Sequence, residues 1–161
     1  QDKFFVKRKG SKNKSKFLAM DKKYGLYSDK IGRGLALGDL DNDGYVDMVV
    51  SNRDSQAQMV VYQNKTKSQG QGNHYLKIKL KGGEGINAMA VGTKVSLYIK
   101  GTVQHQLLSA GSSFLSQHSP VLTFGLGTHT LVDKIIISWP NGKQKTLHNI
   151  KGDQCLEVSV G

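Results

Sequence analysis

Between Gly38 and Asp47 the chain sets four carboxylates, Asp39, Asp41, Asp43 and Asp47, within nine residues, in a polypeptide whose net charge is +11. Like charges this close repel strongly unless something neutralises them. The segment therefore calls for a cation and for a backbone that turns its oxygens inward. Asp39, Asp41 and Asp43 alternate along the chain, and Gly44 permits a turn that a Cβ would obstruct. Calcium takes six to eight oxygens, and acidic loops supply them from positions one, three and five, a backbone carbonyl at seven and a later carboxylate. Counted from Asp39, position seven is Tyr45 and position nine is Asp47. The spacing predicts a Ca2+ site made of Asp39, Asp41, Asp43, Tyr45 and Asp47.

A helix–loop–helix calcium hand would need a Glu at position twelve, where this chain has Val50. Its flanks differ as well. Gly34-Leu35-Ala36-Leu37 precedes the loop, and Val46-Asp47-Met48-Val49-Val50, a β-branched run of strand length, follows it. These flanks predict a calcium loop at the mouth of a β-hairpin. The simpler reading is a solvated Asp/Gly turn, since these residues are ordinary turn formers. The run from Gly32 to Asp47 resembles the FG-GAP or VCBS-like repeat of integrin-type β-propellers. That resemblance implies calcium ligation by the same five residues.

Nineteen glycines, two prolines and no segment of convincing helical period point to an all-β chain. Residues 1 to 33 carry eleven Lys/Arg against Asp2, Asp21 and Asp29, so most of the excess charge is N-terminal. A basic balance suits an anionic polysaccharide, an acidic protein surface or nucleic acid, or is simply a soluble Lys-rich surface. Cys155 is the only cysteine, which excludes an intrachain disulfide. No run approaches the eighteen apolar residues of a membrane helix. The calcium loop and the Gln at position 1 predict a processed piece of a secreted or cell-surface protein.

Residues 3–8 and 16–20 predict a hairpin with a basic tip, and 59–64 a further strand that echoes 4–9. A spacing of that order is found between propeller blades, so residues 1–66 are expected to form a partial β-propeller-type blade. A Gly/Gln/Ser/Lys stretch, 67–73, predicts a linker. Beyond it, His74 to Lys81 alternates strictly, with Leu76, Ile78 and Leu80 on one side and Lys77, Lys79 and Lys81 on the other, as in a half-buried strand with a wet lysine face. Segments 92–99 and 102–108 predict a hairpin turning at Lys100-Gly101. Strands at 121–124, 131–139 and 155–160 complete an antiparallel β-sandwich over 74–161. Gly125 and Gly127 are expected in a turn around Leu126, and Asn141-Gly142 in a hairpin turn.

Residues 87–95, Gly111 to Gln117, Phe124-Gly125-Leu126-Gly127 and Trp139-Pro140-Asn141-Gly142 occur in the order seen in the ASPIC/UnbV domain, which this half of the chain resembles. In secreted proteins that domain commonly follows propeller repeats, so the two resemblances support each other.

Catalytic signatures are missing. His74, His105, His118, His129 and His148 have no metal-ligand spacing, Gly111-Ser112-Ser113 lacks a nucleophile elbow, and Cys155 has no nearby base in sequence. The sequence predicts no enzyme. It predicts a non-catalytic, extracellular, calcium-binding adhesion or recognition module. The alternatives are a polysaccharide- or polyanion-binding domain, using the N-terminal lysines and the Lys77/Lys79/Lys81 stripe, and a subunit that self-associates through open strand edges. The partner is expected to be an extracellular protein or polysaccharide rather than nucleic acid. Gln117, Trp139 and Tyr98 are candidates for a sugar platform. Asn13 and Asn64 head glycosylation sequons.

Overall fold

The computed structural model describes residues 5–9, 15–19, 25–26, 30–53, 59–66 and 72–161. Asn13, much of the basic tip and positions 67–71 of the expected linker lie outside these. All twelve elements among the described residues are strands. β1 (Phe5–Lys9) and β2 (Ser15–Ala19) form the expected antiparallel hairpin. β3 (Gly32–Gly38), β4 (Asp47–Asn52) and β5 (Val60–Tyr62) form a three-stranded antiparallel sheet, with the acidic loop at the β3–β4 turn.

The remaining strands make two facing sheets. One holds β6 (His74–Lys81), β9 (Val121–Gly127) and β12 (Gln154–Ser159) in the order β12-β6-β9. The other holds β7 (Lys94–Ile99), β8 (Thr102–Leu107), β10 (Leu131–Ser138) and β11 (Gln144–Lys151) in the order β11-β10-β7-β8. Their inner faces share one apolar cluster. Leu76, Ile78, Phe124, Val95, Leu97, Val132, Ile135 and Ile137 are among its fully buried members. The period-two spacing of Leu76, Ile78 and Leu80 and of Val95, Leu97 and Ile99 aims each set at the other sheet, and their burial drives the layers together.

Three expectations need correction. The sandwich is mixed rather than antiparallel, because β12 runs parallel to β6. The β10–β11 hairpin returns the chain to the end where β6 starts, so the last strand must run the same way. Residues 152–153 pin this crossing. Gly152 N–H donates to the Thr130 carbonyl, Asp153 N–H to the Tyr75 carbonyl, and Asp153 accepts from Tyr75 N–H. Second, Phe124-Gly125-Leu126-Gly127 is strand, not turn. Phe124 and Leu126 point into the core, and only Gly127, with φ +59°, leaves the strand conformation. Third, β11 is a strand the apolar pattern did not announce, since only Leu147 and Ile150 reach the core from it. The Asn141-Gly142 turn that leads into it lies where expected, with Gly142 at φ +85°.

The β3 edge is not open. Leu37 N–H donates to His118 Nδ1 and the Leu37 carbonyl accepts from Ser119 N–H. Leu35 N–H donates to Ser113 Oγ, and its carbonyl accepts from Ser116 Oγ. The β8–β9 connection thus satisfies the Leu35 and Leu37 backbone groups that this edge would otherwise offer another chain. The fit is close at Gly34, where a Cβ would lie 2.6 Å from the Phe114 carbonyl oxygen. No helix among the described residues is long and apolar enough to cross a membrane.

Candidate functional site

The acidic loop is held by its own amides. Asp39 accepts from Asp43 N–H at 3.0 Å and Gly44 N–H at 2.9 Å, and Asp43 accepts from Tyr45 N–H at 2.9 Å. The chain turns through left-handed conformations at Asn42 (φ 59°) and Gly44 (φ 94°), which suit Asn and Gly. As a result one carboxylate oxygen from each of Asp39, Asp41 and Asp43 lies within 4.8 Å of the others. This oxygen-only donor set is of the kind hard cations take, and it lacks the nitrogen or sulfur donors that zinc favours. Asp41 also accepts from Gln63 Nε2 at 2.5 Å, and that hydrogen bond holds its carboxyl below the usual carboxylate range.

Asp47 stands apart from that trio. It is buried, and its two oxygens accept from Leu40 N–H at 2.9 Å and Asn64 N–H at 2.7 Å. It ties the start of the loop to the residues just past β5. The Tyr45 hydroxyl donates to the Asn73 carbonyl at 2.7 Å.

Two residues absent from the sequence-derived site join the loop to the sandwich. Lys77 Nζ lies 2.8 Å from Asp39 Oδ2 and 2.5 Å from Asn42 Oδ1, and the Lys77 and Asp39 side chains are only 10% and 6% exposed. Lys77 is therefore not part of a wet lysine face. Burial alone would lower its pKa, but the hydrogen bond and charge of Asp39 raise it above the ordinary lysine value. Tyr75 packs its ring on the loop. A Cβ on Gly44 would sit 2.0 Å from Tyr75 Cε1, and the Tyr45 and Tyr75 rings are 6.3 Å apart. The loop consequently rests on the outer face of the β12-β6-β9 sheet. Nothing local marks Lys77, because its alternation is that of any half-exposed strand, and only the tertiary fold brings Asp39 to it.

The rest of the lysine stripe shares one carboxylate. Lys81 pairs with Glu157, and Lys79 lies 3.6 Å from the same carboxylate. The Lys81 hydrogen bond keeps Glu157 below its usual pKa. The proposed sugar platform also fails, since Trp139 is a core residue at 4% exposure and cannot present its ring to a sugar. His118, His105 and His74 are hydrogen-bonded to Leu37, Ser96 and Asp153 respectively.

Residues 83–161 match the ASPIC and UnbV family model, so this part of the chain is an ASPIC and UnbV domain. The chain is also homologous to cartilage acidic protein 1. It is 35% identical to the Xenopus tropicalis protein over 127 residues, covering 78% of this chain and 19% of that protein. It is 32% identical to the human protein over 124 residues, covering 76% and 18%, and 34% identical to the mouse protein over 114 residues, covering 70% and 17%. The matched region is therefore less than a fifth of these relatives' length. The frog match is longer than the ASPIC and UnbV segment, and a stretch of that length cannot be placed in this chain without including residues 39–47.

Proposed function

We propose that this chain is a non-catalytic, extracellular recognition module in which the 39–47 loop binds calcium and so fixes an FG-GAP-like sheet, residues 1–66, on an ASPIC/UnbV sandwich, residues 74–161. The observation that carries this reading is the convergence of Asp39, Asp41 and Asp43 on a loop that is docked, through Lys77 and Tyr75, onto the sandwich. Asp39, Asp41 and Asp43 would hold the ion, with Tyr45 offering its carbonyl and Asp47 serving as the buried clasp behind the loop. Bound calcium supplies positive charge that offsets the mutual repulsion of the carboxylates. The chain's own residues do the rest: the loop amides orient Asp39 and Asp43, Gln63 orients Asp41, and Lys77 neutralises the oxygen that faces the sandwich. Ion binding then adds to folding stability.

The extracellular assignment is supported by the homology to proteins named for cartilage and by the loop type, which suits the higher calcium found outside cells. A melt of the chain in excess calcium, in excess magnesium and in chelator tests the reading. At calcium a hundredfold above Kd the native state gains about 2.7 kcal/mol, a shift of roughly 5–10 °C for a chain of this size. Identical melts in calcium and chelator would overturn it.

A further inference from the structure

The acidic loop covers part of one outer face of the sandwich, and the outer face of the opposite sheet carries a different chemistry. Register places three rungs across it. The first runs His148, Lys134, Tyr98, Val103; the second Thr146, Ile136, Ser96, His105; the third Gln144, Ser138, Lys94, Leu107. Directly opposed residues in an antiparallel sheet point to the same side, so these side chains share one surface. It contains two lysines, two histidines, hydroxyls and an amide, and no aspartate or glutamate. Lys94 and Lys134 have no carboxylate partner among the described residues, in contrast to Lys77, Lys79 and Lys81 on the other sheet. Lys134 lies 4.4 Å from the Tyr98 ring centroid, which holds the ammonium over the sheet. The adjacent Asp133 is turned away, accepting from Lys100 N–H at 2.7 Å.

We infer that this face of the β11-β10-β7-β8 sheet binds a linear anionic polysaccharide. Lys94 and Tyr98 are four residues apart on β7, so the rungs that carry Lys94 and Lys134 are about 13 Å apart along the strands. Cations on rungs so spaced match the sparse carboxylate or sulfate groups of a glycan chain. Ser138, Thr146 and Gln144 on the same rungs offer hydrogen bonds to hydroxyls. Exposed Val103 and Leu107 form an apolar rim on which the C–H faces of sugar rings pack. The face has no arginine fork, and its one tyrosine carries a lysine on its ring, so it lacks the stacking platform that single-stranded nucleic acid uses. The inference is independent of calcium, because the loop sits on the other sheet.

The test is heparin binding by the full chain, read by affinity chromatography and fluorescence titration at low salt. The expected result is that Lys94→Gln/Lys134→Gln weakens heparin binding by about tenfold and lowers the slope of log affinity against log salt by about two. The equally charged control Lys79→Gln/Lys81→Gln stays within about twofold of wild type, Lys94→Arg/Lys134→Arg retains binding, and Thr146→Glu weakens it without removing a lysine. Melting curves check that each variant is folded. Equal losses in the two Lys→Gln pairs, or no retention of the wild type at low salt, would overturn the inference. So would a single-stranded DNA oligonucleotide that binds more tightly than heparin and is lost with the same substitutions.

Discussion

Replacing Lys77 by Met tests how the loop is joined to the sandwich. The side chain is nearly buried, and its ammonium donates to Asp39 and Asn42. Met conserves most of the stem and so isolates the charge. Without the ammonium, Asp39 keeps only the Asp43 and Gly44 amides as partners and loses the positive charge paired with it. A charge-assisted hydrogen bond contributes about 1.5–3 kcal/mol, and removing one member of a fully buried pair costs about 3–5 kcal/mol. Because the site opens to solvent at Asp41, we expect about 2–3 kcal/mol in chelator. At about 2–4 °C per kcal/mol, Tm should fall by roughly 4–12 °C, measured by circular dichroism. Excess calcium supplies charge to the same carboxylates, so the loss should shrink to about 1 kcal/mol or less. In chelator, Asp39→Asn should be less damaging in the Lys77→Met background than alone. A Lys77→Met protein that melts like wild type, or loses the same amount with and without calcium, would refute the coupling.

Gly44→Ala should loosen the loop from the sandwich, because its Cβ would meet the Tyr75 ring at 2.0 Å and φ is +94°. The expected cost is about 2–3 kcal/mol, and Tyr75→Ala in the same chain should relieve part of it, measured by denaturant unfolding. Phe124→Ala removes a fully buried ring from the core and should cost about 3–5 kcal/mol, with no change in calcium affinity for the fraction that stays folded. Glu157 should titrate below the ordinary carboxylate value in an NMR pH series and return toward it in Lys81→Gln. Its folded pKa is depressed, so the small stability it contributes is present above the unfolded value near 4.5 and is lost as pH falls through the folded value.

Where sequence carried the fold, it did so through local pattern. The strict alternation of His74 to Lys81 gave β6 its full length, and the Lys100-Gly101 turn separated β7 from β8. The convergence of Asp39, Asp41 and Asp43 was legible because residue type and spacing are themselves local. What failed was long-range. Gln144 to Lys151 is mostly polar on both sides, so neither period reveals β11. The parallel pairing of β12 with β6 depends on the path of the whole chain. Trp139-Pro140 reads in sequence as the end of a strand, but that position gives no sign of facing inward, so the alternative of a sugar platform stayed open until the fold showed Trp139 buried. Lys77 shares its alternation with Lys79 and Lys81, yet only Lys77 lies beneath the loop, where Asp39 replaces water as its partner. The covering of the β3 edge by residues 113–119 likewise joins segments some eighty positions apart.

The most direct test is isothermal titration of calcium into metal-free protein, alongside Asp43→Asn. One saturable site should appear, much weaker for magnesium and lost in the variant, while the variant keeps the β-sheet spectrum of the parent. A flat calcium titration of folded wild-type protein, or one that Asp43→Asn leaves unchanged, would contradict the claim that these aspartates form an ion site.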